Sequence, residues 1–241
     1  MSSAQSKGRS DVDTLIALYS SGYTLALQHG RKDVLTIQQV LGFLLAAVLI
    51  TSTPGPDNLA VLGMGISKGR KQGMAFGLGC AFGCLSHTFL AAIGVSALIA
   101  ASPIAFTALK IAGGLYLIWI GFNAIRYAGA INVDRVNFGE EPLATLFVKG
   151  CMANAINPKV VLFFLSFLPQ FVIASNGHVG LQTATLGLIF TAQAAVLFGL
   201  LGYFSGAIGQ WLNKRPKAGV TLDRTAGTVF VLLGLRLIVS R

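Results

Sequence analysis

Thr51-Ser52-Thr53-Pro54-Gly55-Pro56-Asp57-Asn58 sits inside an apolar run, Leu41–Ile66, that is otherwise long enough to cross a membrane as one helix. Pro54 and Pro56 have no N–H, so the carbonyls of Ile50 and Ser52 lose their helical donors. Thr53 and Gly55 each precede a proline and are pushed toward extended geometry. The run therefore reads as two half-helices, the second opening at Asp57 and Asn58. That opening carries free N–H groups and the positive end of the helix dipole, a setting that binds carboxylates and other anions.

A second run, Leu143–Ile173, breaks in the same way at Asn154-Ala155-Ile156-Asn157-Pro158-Lys159. Asp57 follows Leu41 by 16 residues and Lys159 follows Leu143 by 16, so both count to mid-membrane depth. An ionised side chain there costs about 2.5–3.5 kcal/mol on insertion scales, so each needs a partner or a role. The economical arrangement pairs Lys159 with Asp57 across the two breaks. Such a pair is either a structural ion pair or one that exchanges partners during transport. Asp57 itself is either a cap for its own half-helix or a site for a proton or a substrate ammonium.

Working outward, four further apolar runs complete a bundle of about six spans: Met74–Ala100, Ile104–Ile125, Leu181–Trp211 and Val220–Val239. Of the 241 residues, 54% are hydrophobic and 11% charged. A soluble domain carries roughly 25% charged residues. The runs lack the alternating lumen face of a barrel, so the fold class is all-α, a polytopic membrane helix bundle. The net charge of +10 does not point to nucleic acid, because its basic residues cluster in short linkers between apolar runs. Lys68, Arg70, Lys71, Lys214, Arg215 and Lys217 mark such linkers as cytoplasmic. Residues 1–36 differ in composition and read as a mobile or amphipathic extension, or as an artefact of the assigned start; residues 37–241 form the transmembrane domain.

The chain also carries a weak internal repeat. Lys110-Ile111-Ala112-Gly113-Gly114-Leu115-Tyr116 resembles Arg224-Thr225-Ala226-Gly227-Thr228-Val229-Phe230, with Gly121 and Gly234 out of step by one. Spans 1 and 4 break at proline, and spans 2 and 5 are glycine-spaced. Three helices repeated over an odd count must be inverted, as in many secondary transporters.

Other motifs are less decisive. Cys80, Cys84 and His87 share a helical face; they suit a soft cation or simply a buried apolar face. His87 is either hydrogen-bonded structure or a proton relay. Gly199, Gly202, Gly206 and Gly209 read as a close-contact face, with Thr191 and Gln193 as pathway candidates. Glu141 reads, with Asp134 and Glu140, as part of a solvated linker. The chain has no Walker loop and no His-Glu-x2-His, and is read as neither an enzyme nor an ATP-driven pump.

At the two breaks the sequence resembles the LysE/RhtB family of bacterial amino-acid exporters. The resemblance runs through Thr53-Pro54-Gly55-Pro56-Asp57-Asn58, the basic turn Lys68–Gly73, His87, Gly113–Leu117, Gly121, Asn157-Pro158-Lys159, Phe164 and Leu168–Phe171, over about residues 35–240. It implies a multi-pass inner-membrane exporter of amino acids or small derivatives, driven by proton exchange, without a cofactor, and forming homodimers. The site residues expected are ten: Thr53, Pro54, Gly55, Pro56, Asp57, Asn58, Asn157, Pro158, Lys159 and His87. A divalent or soft-metal cation exporter, leaning on Asp57, His87, Cys80 and Cys84, is the alternative.

Overall fold

A computed structural model describes residues 34–128 and 141–239. Most of the expected N-terminal extension, together with Asp134 and Glu140, lies outside these residues. The unit described here spans Leu35–Arg241. Its described residues form helices and turns, without a strand.

Helix α1 covers Ile37–Ser52. Thr36 caps it: its side chain accepts from Gln39 N, and Gln39 Oε1 accepts from Thr36 N at 2.7 Å. α1 stops where Thr53, preceding Pro54, turns extended at φ −69°, ψ 127°. Helix α2, Pro56–Lys68, begins with proline at its first position and Gly55 as its uncapped N-cap. The two halves meet at 55°. α2 ends at Gly69, whose φ of +107° suits only glycine.

Helices α3 (Arg70–Ala101) and α4 (Pro103–Arg126) complete the first half of the chain. The second half opens with α5 (Leu143–Ala155) and α6 (Pro158–Leu162), which continues as a π turn over Phe163–Phe167 and a 3-10 turn over Leu168–Phe171. This second broken pair bends by 51°. Then come α7 (Val179–Tyr203), α8 (Ser205–Lys214) and α9 (Pro216–Val239).

α3, α4 and α7 are each long and apolar enough to cross a membrane, and counting each bent pair as one span brings the number to five. The sixth expected span, α9, has the length but carries Lys217, Asp223, Arg224 and Arg236 among its 24 residues. It lies along α4, as the third helix of the other half. Large apolar side chains such as Leu45, Phe89, Trp119, Phe122, Leu188 and Leu232 point outward. A bundle that shows water its apolar side would be insoluble, whereas lipid accepts it.

Backbones approach closely where glycines meet. A Cβ on Gly121 would lie 2.5 Å from the Gly227 carbonyl oxygen, and one on Gly227 would lie 2.5 Å from that of Gly121. Gly114 and Gly234 return the same contact, at 2.9 and 2.5 Å. The two contacts run antiparallel along α4 and α9. On α3 the glycines serve two faces: Gly73 meets Gly202 of α7, whereas Gly79 and Gly83 meet the α5 backbone. Gly206 faces open space and is not part of the expected contact surface.

A buried aromatic group lies between α1, the π turn and α7. Phe43, Phe163 and Phe190 stack with ring centroids 5.1–6.5 Å apart.

Candidate translocation site

The two breaks face each other. In each, proline occupies the first position of the second half-helix and an ionisable residue the second: Pro56-Asp57 in α2, Pro158-Lys159 in α6. Asp57 and Lys159 are 4% and 7% exposed. Both line one narrow cavity, together with Gly55, Asn58, Asn154 and Asn157. Its remaining wall is chiefly apolar, from Ile50, Val160, Phe163, Phe190 and Phe198.

Each break leaves backbone groups that side chains satisfy. Thr51 O accepts from Asn58 Nδ2 at 2.8 Å. The Thr51 hydroxyl accepts from Gln193 Nε2 at 2.9 Å, which ties the first break to α7. In the second break, Asn157 is the N-cap of α6, and its Oδ1 accepts from Lys159 N at 3.0 Å.

Lys159 and Asp57 do not form the expected ion pair; among the described residues, ion pairs form at Glu141. Lys159 Nζ instead donates to Thr53 O at 2.8 Å and lies 5.4 Å from the centre of the Phe230 ring. The reason lies in the break itself. Thr53 is extended, so its carbonyl leaves the helix axis and meets the lysine first. Asp57 does not cap its own half-helix either. Its Oδ2 accepts from Asn154 Nδ2 at 2.7 Å. Acid and base thus share a cavity, each held by a neutral partner.

Asn154 was placed in the second break but not among the site residues, yet it is fully buried and joins three elements. Its Oδ1 accepts from Cys84 Sγ at 3.4 Å, and its carbonyl lies 3.1 Å from His87 Nε2. A carbonyl only accepts, so Nε2 carries the hydrogen. The available signal was that Pro158 frees this carbonyl. What the side chain reaches depends on where α3 passes.

Of the ten expected site residues, Gly55, Asp57, Asn58, Asn157 and Lys159 line the cavity. Thr53 contributes its carbonyl, while Pro54, Pro56 and Pro158 shape the backbone around it. His87 stands behind Asn154, its ring 5.7 Å from Phe164. Among the described residues no group of three or more His, Cys, Asp or Glu side chains gathers to hold a metal ion. Glu141 is not simply a solvated linker residue. Its carboxylate meets Lys149 at 2.7 Å and Lys68 at 4.0 Å, linking the end of α2 to α5.

Residues 48–241, which include both breaks, match the LysE type translocator family. The chain belongs to that family. A leucine efflux protein of Enterobacter sp. (strain 638) is 31% identical, covering 81% of this chain and 92% of its own length. A homoserine/homoserine lactone efflux protein of Salmonella typhi is 30% identical, covering 86% of this chain and 99% of its own length. The membrane protein YrhP of Bacillus subtilis (strain 168) is 29% identical over 83% of this chain and 98% of its own. No solved structure matches the chain. This LysE type translocator is a multi-pass protein of the bacterial inner membrane.

Proposed function

We propose that this LysE type translocator is a secondary exporter that moves amino acids or small amino-acid derivatives out of the cytoplasm in exchange for protons. The observation that carries the reading is the placing of Asp57 and Lys159 at matching positions of two half-helices around one cavity. Efflux relatives named for leucine and homoserine support the substrate class. A zwitterion brings an ammonium for Asp57 and the Thr53 carbonyl. It also brings a carboxylate for Lys159 and the N-terminus of α2. Among the described residues, Asp57 is the sole carboxylate lining the cavity. One carboxylate takes up a proton or holds an ammonium, but not both at once. Competition of that kind is sufficient for exchange.

Efflux from cells preloaded with amino acid tests the reading. Asp57→Asn and Lys159→Ala variants at wild-type membrane levels are expected to lose export, and an uncoupler is expected to abolish it in the wild type. Normal export by both variants would overturn the site assignment. Export indifferent to the proton gradient would overturn the coupling.

A further inference from the structure

The cavity that holds Asp57 and Lys159 is lined by two kinds of residue. Its polar side is supplied by the breaks: Asp57, Asn58, Asn154, Asn157 and Lys159. Its apolar lining is Ile50 from α1, Val160 and Phe163 from the second broken segment, and Phe190 and Phe198 from α7. These five side chains are all buried, and two of the rings, Phe163 and Phe190, stand 5.1 Å apart.

From this lining we infer that the cavity selects zwitterionic amino acids with uncharged, apolar side chains, and that Phe163, Phe190 and Phe198 set that preference. The inference rests on the exporter reading above. Charge balance is the first argument. The lining holds one acid and one base. An α-ammonium and an α-carboxylate use both, leaving no partner for a third charge on lysine, arginine or glutamate. A buried charge without a partner is strongly disfavoured. Shape is the second argument. Apart from the groups that take the ammonium and carboxylate, the lining is chiefly aromatic and branched aliphatic, which favours leucine, methionine or phenylalanine. A hydroxyl in such a wall is rejected less strongly than a charge, by about a hundredfold at most. Homoserine is therefore an intermediate substrate. Thr51 and Asn58 at the cavity edge are already engaged with Gln193 and the Thr51 carbonyl.

The experiment loads cells with dipeptides of leucine, methionine, homoserine, lysine or glutamate and measures export with and without the translocator. Wild type is expected to export leucine and methionine at least tenfold faster than lysine or glutamate, with homoserine between. Lysine or glutamate leaving as fast as leucine overturns the inference while leaving the exporter reading intact. Export of none of the five overturns both. A Phe198→Ser variant is expected to raise the homoserine-to-leucine ratio severalfold. An unchanged ratio in a variant that still exports removes Phe198 from the selective wall. The wild-type ranking needs no variant to fold, so it decides the inference by itself.

Discussion

Asn154 Nδ2 donates to Asp57 Oδ2 at 2.7 Å, and this bond joins the last turn of α5 to the first turn of α2. The two broken segments therefore communicate through a neutral amide. Asn154→Ala removes the donor and leaves a buried carboxylate acceptor unsatisfied, a loss of about 1–3 kcal/mol or more. Export is expected to fall at least tenfold at matched membrane levels. Asn154→Asp places a second acid beside the first and is expected to be worse, because neighbouring carboxylates resist joint ionisation. Wild-type transport by both variants would show that Asp57 works without this donor.

Gly55 leaves room for Lys159. A Cβ there would lie 3.1 Å from Nζ and 3.3 Å from Cδ of that lysine. The obstacle is the end of a flexible side chain, so Gly55→Ala is expected to fold and reach the membrane. The displaced ammonium loses its bond to Thr53 O, and transport is expected to drop severalfold. Paired measurements of membrane level and efflux rate check this; parallel loss of both would point to misfolding instead.

The α4–α9 contact makes a sharper demand. Gly121→Leu or Gly227→Leu forces two backbones apart, an overpacking cost of about 1–3 kcal/mol or more. Thermal unfolding in detergent is expected to shift downward for each. Gly206→Leu, where nothing lies within 4 Å, is the matched control and is expected to leave the midpoint unchanged.

Glu141 gives a pH dependence away from the spans. The bond from Lys149, with added attraction from Lys149 and Lys68 charges, holds its carboxyl below the ordinary value of 4.5. A depressed folded value means its contribution is complete above 4.5 and fades as pH falls through the lower folded value. Wild type is expected to lose thermal stability below pH 4.5, and Glu141→Gln is expected to lack that component. A wild-type advantage that persists unchanged in strong acid would argue against the ion pair as its source.

The breaks were legible because proline and glycine act on the backbone directly. Pro54, Pro56 and Pro158 forbid helical bonds whatever surrounds them, and the structure bends at both places. The partners of charged groups were not legible in the same way. Lys159 was expected to seek the opposite charge, but the break also releases a carbonyl, and Thr53 O lies within the reach of Nζ. Asn154 looked like one more small polar residue because its role depends on where α3 passes. The aromatic wall left no mark at all: Phe163, Phe190 and Phe198 are ordinary residues of apolar helices until folding brings them to one cavity. α9 was read as a span from its apolar stretch, while its charged positions weaken that reading.

Asp57 and Lys159 occupy the same place in two related halves, yet with opposite signs. Two copies of the first half alone would bring two acids to the centre, and two copies of the second would bring two bases. Neither assembly would offer both an acid and a base at one site. An ancestor built from identical half-length subunits would therefore have needed different chemistry at this point. Joining both halves in one polypeptide allows each to change its sign independently, and having done so, neither half can be replaced by the other.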